Sequence, residues 1–413
     1  MISVGDASAR ILAGIKPLPA ERVHVADAIG RVVAERVVAG ITSPPWDNSS
    51  MDGYAVMRAD LDSVAKRLPV VATIPAGGFA PRPLARGEAM RIMTGAPLPE
   101  GADTVIRFED TNNGETEVEI RNLRDAGRNI RRAGEDFRKG DELFERGTEL
   151  RAAHIGVLAA AGIAHVMVHR QPRVAILSSG DELVELEDFT LDLAGRKIIS
   201  ANSVTLPALA RAAGAIPVYI GIARDDPRSL RELLSRTSGC DLIITSAGIS
   251  VGDLDHVRQV VRELGGDLDF WKVRMRPGAP LAFGRLLGAP WLGLSGNPVS
   301  AMITFELFAR PLIQRLCGHS RVFRRMIDAK VEEKIELAAP LTHFLRAIVE
   351  RQDDGTFTAR LAGSQSSAVL TAMARANALL VIPPDSTVTE PGSIVQAIPL
   401  ANDLELSDSL DIA

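Results

Sequence analysis

Short apolar runs and longer segments of helical period alternate over residues 172–318, and this alternation limits the fold more than any other feature of the sequence. The apolar runs are bounded by turn residues, as strands are, and the segments between them have the spacing of helices. The runs cover residues 174–177, 216–220 and 242–245, and the helical segments cover residues 204–211 and 230–234. The pattern is typical of βαβ units. We predict a doubly wound α/β domain with a mostly parallel sheet.

Each apolar run of this domain ends in small or acidic residues, and in an open α/β sheet the loops after the strands are where ligands bind. The acidic residues of these loops are Glu182, Asp225, Asp226, Asp253 and Asp255. Several carboxylates at one rim can hold Mg²⁺, which takes oxygen ligands and commonly bridges to a substrate phosphate. Alternatively, some of these aspartates cap helices. We favour capping for Asp226, because Pro227 follows it.

A run of cations follows in residues 271–276. If this segment is a strand, Lys272, Arg274 and Arg276 share one face, because side chains on one face repeat every two residues. Such a face suits an oxyanion or a phosphate. A solvated strand edge is the alternative.

The segment Ser295-Gly296-Asn297-Pro298 combines a turn with the start of a predicted helix over residues 299–316. The first N–H groups of a helix have no partner within the helix, so such a turn is a candidate anion site. It is not a Walker loop, since no Gly-Lys-Ser/Thr follows, and the sequence has no GxGxxG fingerprint.

The rest of the chain predicts helical, mixed and β regions. Residues 3–16 have the period of an amphipathic helix, and a second helical segment is predicted over residues 26–33. Residues 57–140 are rich in Gly, Pro and β-prone runs and predict a small β domain, inserted before a mixed region over residues 143–168. Beyond residue 318, short apolar runs between turns predict a small β barrel or sandwich.

Three loops near the predicted β domain combine turn residues with polar or charged side chains. They cover residues 43–56, 92–99 and 131–136. The first can simply join domains, with Asp and Asn side chains bonded to their own backbone. The third, in which carboxylates neighbour arginines, can be a solvated salt-bridge cluster.

Length and composition exclude several classes of protein. A chain of 413 residues exceeds one core, so about two to four domains are expected. A net charge of −5 gives no general attraction to nucleic acid or to an anionic membrane. Cys240 and Cys317 are too few for a disulfide framework and fit a reducing compartment. Neither a signal peptide nor a bilayer-spanning segment is predicted, so we expect a cytoplasmic protein.

Six motifs then occur in the order found in one known family. They are Pro-Pro-Trp-Asp-Asn-Ser-Ser-Met-Asp-Gly-Tyr-Ala-Val, Ile-Met-Thr-Gly-Ala-Pro-Leu-Pro, Gly-Glu-Asp, Ser-Ser-Gly-Asp-Glu-Leu, Ser-Ala-Gly-Ile-Ser-Val-Gly and Gly-Asn-Pro-Val-Ser-Ala. Each motif is weak alone, but together they span nearly the whole chain. The sequence resembles the MoeA family of molybdopterin molybdenumtransferases, which includes the gephyrin E domain.

The resemblance implies a multidomain subunit of class α/β plus β with a central MogA-like domain. Its four parts would be an N-terminal helical and extended domain (residues 1–43 and 141–171), an inserted small β domain (44–140), a molybdopterin-binding α/β domain (172–318) and a C-terminal β-barrel-like domain (319–413). It also implies a homodimer in which the α/β domain of one subunit faces the small β domain of the other.

The resemblance implies a reaction as well. Adenylylated molybdopterin is bound, molybdate is inserted into its dithiolene, and the AMP anhydride is cleaved with Mg²⁺ or a similar divalent ion. The implied partners are adenylylated molybdopterin and molybdate, with transient contacts to the molybdopterin adenylyltransferase and to the enzymes that accept the cofactor.

The family's site residues carry over to matching positions of this sequence. The implied catalytic set is Asp52, Thr94, Asp136, Glu182, Asp225 and Asp255, of which Glu182, Asp225 and Asp255 would hold the metal. The implied substrate-binding set is Ser250, Gly252, Lys272, Arg276, Ser295, Gly296, Asn297, Pro298, Arg346 and Ser367. In this division the carboxylates hold the metal on the diphosphate, and the cations and the Ser367 hydroxyl receive molybdate.

Three departures from the family pattern fall at the ligand edge. Ala247 stands where the family has a glycine and would crowd a close backbone approach. Arg276 and Ala279 replace two lysines, and Ser295 replaces a proline. These changes leave an alternative open, a molybdopterin-binding scaffold with weak or no insertion activity. Insertion of tungstate in place of molybdate is a further alternative.

Overall fold

The structure is a computed structural model that describes residues 1–190, 195–247, 254–338 and 340–400, with residues 254–256 described by their backbone only. In this part of the chain the α-helices are α1 (Val4–Leu12), α2 (Ala152–Ala160), α3 (Ala201–Ala212), α4 (Pro227–Ser235), α5 (Leu254–Glu263), α6 (Pro298–Thr304), α7 (Arg310–Leu316) and α8 (Leu370–Arg375). A π-helical turn (Phe305–Ala309) joins α6 to α7, and 3-10 turns cover Val25–Asp27, Arg58–Asp60 and Phe108–Asp110.

The strands are β1 (Ala20–His24), β2 (Val37–Val38), β3 (Asn48–Ser49), β4 (Gly53–Val56), β5 (Lys66–Ile74), β6 (Ala89–Ile92), β7 (Thr104–Arg107), β8 (Glu117–Ile120), β9 (Ile130–Arg131), β10 (Glu142–Phe144), β11 (His165–His169), β12 (Arg173–Ser179), β13 (Leu183–Val184), β14 (Ile198–Ile199), β15 (Ile216–Ala223), β16 (Leu242–Ser246), β17 (Asp267–Trp271), β18 (Met275–Arg276), β19 (Ala282–Leu286), β20 (Ala289–Leu294), β21 (Ile327–Val331), β22 (Ile335–Glu336), β23 (Thr342–Arg351), β24 (Phe357–Leu361), β25 (Ala378–Ile382), β26 (Val388–Thr389) and β27 (Ile394–Pro399).

The chain divides into two compact units. The larger unit contains Met1–Glu21 and His169–Ala413, and the smaller unit contains Arg22–Val168. The four-part division expected from the sequence is finer than this and stays a prediction.

The larger unit is built on a six-stranded sheet of order β15-β12-β16-β20-β19-β17. The first four of these strands are parallel to one another. Strand β19 pairs antiparallel with β20, and β17 pairs antiparallel with β19. From β12 the chain moves through α3 to β15 on one side, and from β16 it moves through α5 towards β17 on the other. The connections thus reverse direction between β12 and β16, which is where open α/β sheets form a binding crevice.

Alternate residues of β12 pack into separate cores on the two faces of this sheet. Val174 and Ile176 belong to a core with α3, α6 and α7, whereas Ala175 and Leu177 belong to a core with α4 and α5. Side chains of a strand alternate between faces, and a strand buried on both faces is apolar throughout. This explains the continuous apolar runs of the sequence and confirms the doubly wound domain.

A five-stranded barrel follows, as the fold class α/β plus β requires. It consists of β23, β24, β21, β27 and β25, and it closes because β23 pairs with both β24 and β25. Leu345 and Ala347 of β23 lie in the barrel core, whereas Phe344 packs in a core of the α/β sheet. Because side chains alternate along a strand, Arg346 lies on the same face of β23 as Phe344, outside the barrel.

The smaller unit contains a five-stranded sheet of order β7-β4-β6-β5-β8. Tyr54 and Val56 of β4 lie in one core and Ala55 in another, so this sheet also buries both faces. At the start of β4, a Cβ on Gly53 would come within 2.0 Å of the carbonyl oxygen of Ile106. Only glycine allows β4 and β7 to approach this closely.

Residues 26–33 do not form the helix that their spacing suggests. The 3-10 turn ends at Asp27, and Gly30 has a φ of 73°, in the left-handed region that ends helices. Val32 and Val33 then form isolated bridges to Glu149 and Val168. The apolar character of Val33 reflects packing against α2 and β11 rather than a helical face.

None of the helices in the described ranges combines the length and the apolar character that a membrane crossing requires.

Helix α4 begins with the cap expected from the sequence. Asp226 Oδ1 accepts hydrogen bonds from the N–H groups of Arg228 and Ser229, each at 2.9 Å, and Pro227 occupies the first helical position. The capping role of Asp226 is therefore confirmed.

We expect Asp226→Ala to lower the free energy of unfolding by about 1 kcal/mol, because two N–H groups at the start of α4 lose their acceptor. Chemical denaturation of the full-length protein measures the change. Asp226→Ser, which keeps an acceptor oxygen, should retain most of the stability. If the alanine variant is as stable as the wild type, the cap does not stabilise α4.

Candidate functional site: two adjoining cavities

The first cavity lies at the carboxyl edge of the α/β sheet and has a volume of about 410 Å³. Its walls come from the ends of β12 and β16, the start of α3 and the turn before α6. The polar residues that line it are Ser179, Glu182, Ser200, Asn202, Ser246, Ser295 and Asn297. It therefore occupies the crevice between β12 and β16 that the strand order predicts.

The second cavity lies between the same turn and the barrel, and has a volume of about 780 Å³. Its polar and charged lining residues are Arg276, Ser295, Asn297, Ser300, Glu336, His343, Arg346, Gln365, Ser366 and Ser367. Pro280, Ser295 and Asn297 line both cavities, so the two spaces adjoin at these residues.

Arg346 is the buried cation of the second cavity. Its side chain is fully buried, and Nη2 donates to the carbonyl oxygens of Ser364 at 2.9 Å and Ser366 at 3.1 Å. Nε and Nη1 are buried and have no hydrogen-bond partner among the described residues. Burial lowers the pKa of Arg346, but a guanidinium stays protonated at neutral pH. A buried charge with unused donors is costly unless an anion meets it, so the arrangement fits an anionic ligand.

Two side chains fix the barrel loop that carries Ser367. Gln365 accepts from the N–H of Arg346 at 2.9 Å and donates to its carbonyl oxygen at 3.0 Å. Asn297 donates from Nδ2 to Ser367 Oγ at 3.3 Å, which ties this loop to the start of α6. Sequence reasoning named Ser367 but missed Gln365, because a bond between a loop side chain and a distant strand leaves no spacing signal.

The turn before α6 accepts a hydrogen bond from a buried residue that the sequence analysis did not single out. Asn202, in the first turn of α3, donates from Nδ2 to Ser246 Oγ at 2.6 Å and to the carbonyl oxygen of Gly296 at 2.9 Å. Asn297 is the N-cap residue and Pro298 the first residue of α6, as expected. The partners of Asn202 are 44 and 94 residues away along the chain, so no spacing in the sequence points to it.

The carboxylates of the sheet edge are placed differently from one another. Glu182 is exposed and lines the first cavity. Asp225 accepts from Ser179 Oγ and from the N–H of Asp181, both at 3.1 Å, so it joins the loops after β12 and β15. Asp255 lies in α5, but its side chain falls outside the described residues, as do Ser250, Gly252 and Asp253.

No group of three or more His, Cys, Asp or Glu side chains that could hold a metal ion occurs within the described ranges.

The three predicted cations do not share a strand face, and that expectation is wrong. β17 ends at Trp271, Lys272 has a φ of 75°, and β18 begins only at Met275. The left-handed residue breaks the two-residue alternation on which the expectation rested. Arg276 lines the second cavity. The ammonium of Lys272 lies 4.0 Å from the Trp271 ring centroid, and Lys272 is not among the described residues that line either cavity.

In the smaller unit, the structure brings Asp52 and Thr94 together. Asp52 Oδ1 accepts from the N–H of Thr94 at 2.7 Å and from its hydroxyl at 2.8 Å. These two hydrogen bonds lower the pKa of the Asp52 carboxyl below its usual value. Asp136 is exposed. Arg132, which lies in the same loop, forms an ion pair with Asp47.

Ala247, the residue that departs from a family glycine, adopts the backbone a glycine would favour. Its φ is 74°, and a Cβ added to Gly296 would lie 3.0 Å from the Ala247 Cβ. The crowding expected at Ala247 is therefore avoided, because Gly296 has no side chain.

Three family models match the chain along its length. They are described as the MoeA N-terminal region (domain I and II), over residues 2–162, a probable molybdopterin binding domain, over residues 175–315, and the MoeA C-terminal region (domain IV), over residues 328–400.

Curated relatives and a solved structure agree with these matches. A molybdopterin molybdenumtransferase of Nostoc sp. is 35% identical over 92% of this chain and 88% of the relative. Molybdopterin molybdenumtransferase 1 of Mycobacterium tuberculosis strain H37Rv is 34% identical over 97% of this chain and 99% of the relative. The crystal structure of the molybdopterin biosynthesis moeA protein of Pyrococcus horikoshii OT3 has a TM-score of 0.80 and 26% identity, over 97% of this chain and all of that one.

The fold is that of a multidomain α/β protein with one cavity at the edge of a doubly wound sheet and an adjoining cavity beside a barrel. The chain belongs to the MoeA family of molybdopterin molybdenumtransferases, and the resemblance drawn from the six motifs is confirmed. The scaffold alternative is not favoured by the names of these relatives.

We expect Gly296→Ala to lower the free energy of unfolding by about 1–3 kcal/mol, since its Cβ would crowd that of Ala247. Adding Ala247→Gly should recover most of the loss, because it removes the opposing Cβ. A double-mutant cycle by chemical denaturation measures the coupling. Additive effects of the two substitutions would contradict the contact.

We expect Thr94→Val to raise the pKa of the Asp52 carboxyl, because the hydroxyl donor to the charged form is lost. A folded-state pKa below the unfolded value contributes stability above the unfolded pKa, and this is lost as pH falls through the folded pKa. Thr94→Val should therefore lose less stability than the wild type on acidification through this range. NMR titration of the Asp52 carboxyl carbon measures the pKa directly. Thr94→Ser keeps the hydroxyl and should leave it lowered; equal values in all three proteins would contradict the assignment.

Proposed function

We propose that this protein is a molybdopterin molybdenumtransferase, which inserts molybdate into the dithiolene of adenylylated molybdopterin with release of AMP. Arg346 is the observation that carries the proposal: a fully buried guanidinium beside a cavity, with two nitrogens that have no hydrogen-bond partner among the described residues. Such a group is suited to a small oxyanion, since N–H donors and positive charge match its oxygens. Family membership supports the same reaction.

The two cavities divide the substrates. We assign molybdate to the second cavity, where Arg346 and Arg276 supply positive charge and Ser367 a hydroxyl. We assign adenylylated molybdopterin to the first cavity, at the crevice of the sheet. Because the cavities adjoin at Ser295 and Asn297, the oxyanion and the dithiolene can meet there. Holding both reactants in adjoining spaces turns their encounter into a step within one complex.

The residues of the sheet edge fit Mg²⁺ as the metal of this reaction. Glu182 is exposed at the first cavity, and each Asp225 oxygen accepts one hydrogen bond and so keeps a lone pair. Glu182, Asp225 and Asp255 would hold the ion through carboxylate oxygens, the ligands that Mg²⁺ prefers. When bound, the ion would neutralise charge on the diphosphate.

The finer family properties belong to this proposal too. We propose a cytoplasmic homodimer in which Asp52, Thr94 and Asp136 act in the site of the other subunit, with Lys272 also contributing to oxyanion binding. We also propose that the protein makes transient contacts with the molybdopterin adenylyltransferase and with the enzymes that accept the cofactor.

AMP release tests the function. Purified protein is incubated with adenylylated molybdopterin and Mg²⁺, and molybdate is varied. Molybdate-dependent release of AMP, with formation of active cofactor, is the expected result. Bound nucleotide without release, beside an active relative under the same conditions, would overturn the proposal.

We expect Arg346→Lys to raise the molybdate concentration for half-maximal AMP release about tenfold or more, because an ammonium has only three N–H donors and, after bonding to two carbonyl oxygens, keeps a single one for the oxyanion in place of the planar fork of Arg346. The affinity for adenylylated molybdopterin should change much less. Arg360→Lys is the matched control: Arg360 lies on β24 of the same barrel, half-exposed and paired with Glu350 at 3.0 Å. An unchanged molybdate requirement in folded Arg346→Lys would remove Arg346 from the oxyanion site.

A further inference from the structure

The turn Ser295–Pro298 borders both cavities, as Pro280 also does. Two of its carbonyl oxygens accept hydrogen bonds from Asn202 and Ser246, buried side chains that line the first cavity. We infer that Asn202 is a positioning residue for this reaction, which holds the turn so that the N–H of Gly296, rather than the carbonyl oxygens of the turn, faces the substrates. The inference rests on the proposed function, because it concerns the same site.

The hydrogen bonds that hold the turn form a connected network. Asn202 Nδ2 carries two hydrogens, and it donates to Ser246 Oγ at 2.6 Å and to the Gly296 carbonyl oxygen at 2.9 Å. The Ser246 hydroxyl then donates to the Ser295 carbonyl oxygen at 3.4 Å. Asn202 and Ser246 are only 5% and 1% exposed, so water does not replace these bonds. One side chain therefore reaches both carbonyl oxygens of the turn, one directly and one through Ser246.

Because of the geometry of the peptide bond, this hydrogen-bond network also orients the N–H groups of the turn. In a trans peptide the N–H points away from the C=O of the same unit. Holding the carbonyl oxygens of Ser295 and Gly296 towards Ser246 and Asn202 therefore turns the N–H groups of Gly296 and Asn297 the other way. The N–H of Asn297 donates to the Ser295 hydroxyl at 3.3 Å, so the N–H of Gly296 is the donor assigned to the substrates. An anionic substrate is attracted by N–H groups and repelled by carbonyl oxygens. The hydrogen-bond network thus sets the sign of the local electrostatic field where both substrates are expected.

Stability alone does not explain an asparagine at this position. Asn202 Oδ1 is buried without a hydrogen-bond partner among the described residues, and an unpaired buried acceptor is unfavourable. Only the donor end is used, and both of its bonds lead to the turn that lines the cavities. Elsewhere in the larger unit, Asn377 uses both ends, since Oδ1 accepts from Val349 N–H and Nδ2 donates to its carbonyl oxygen. Asn377 lines neither cavity and is a structural clamp.

The test replaces the donor of Asn202 with an acceptor of the same shape. In Asn202→Asp, an ionised carboxylate has no hydrogen to donate and would repel the Gly296 carbonyl oxygen. The full-length protein is assayed for AMP release, and the equilibrium affinity for adenylylated molybdopterin is measured separately. We expect KM and Kd for adenylylated molybdopterin to rise about tenfold or more, with a smaller change in kcat.

Asn377→Asp is the matched control, which should reduce thermal stability and leave both constants unchanged. Ser246→Ala breaks only the branch to Ser295 and should raise KM by a smaller factor, about threefold; it also serves if Asn202→Asp does not fold. A folded Asn202→Asp protein with wild-type KM and Kd, or a folded Ser246→Ala protein with wild-type KM, overturns the inference. Absence of AMP release from the wild type is a different outcome, which overturns the proposed function itself.

Discussion

Burial of both faces of the central parallel strands decides where the polar chemistry of the larger unit can lie. Val174 and Ile176 fill one core and Ala175 and Leu177 the other, so β12 has no face left for ligands. Polar groups are confined to the strand ends, and parallel strands end together at one edge. The reversal of connections between β12 and β16 then opens a crevice at that edge, and the first cavity occupies it.

The barrel adds what the sheet edge lacks, a buried cation. Arg346 alternates along β23 with residues that fill the barrel core, and it is therefore directed out of the barrel. Its desolvation is partly offset by the carbonyl oxygens of Ser364 and Ser366, while Nε and Nη1 have no partner in the part of the chain that the structure describes. Within an ordinary core such a group would be strongly destabilising. Placed beside a cavity, the same unmatched donors are what an oxyanion requires, so the cost to folding and the capacity to bind have one source.

Sequence reasoning succeeded where structure is set locally or by period. The runs over residues 174–177 and 242–245 became β12 and β16, and Asp226 before Pro227 became a helix cap. It failed where one residue interrupts a period: Gly30 prevents a helix, and the left-handed Lys272 breaks a strand. Asn202 and Gln365 escaped notice for another reason, because their partners are far along the chain and leave no pattern. The positions carried over from the family, such as Arg346, came from motif resemblance rather than from any pattern in the chain.

Two of the departures from the family pattern, Ala247 and Ser295, lie in or beside a single turn. Ala247 accepts a left-handed backbone, and Gly296 leaves the room that its Cβ needs. Ser295 lacks the fixed φ of a proline, but its hydroxyl accepts from the N–H of Asn297 at 3.3 Å and so restrains the turn in another way. The carbonyl oxygens of the same turn are held by Asn202 and Ser246. Since Ala247 and Ser295 each have a local structural counterpart, these two changes are compatible with the transferase activity.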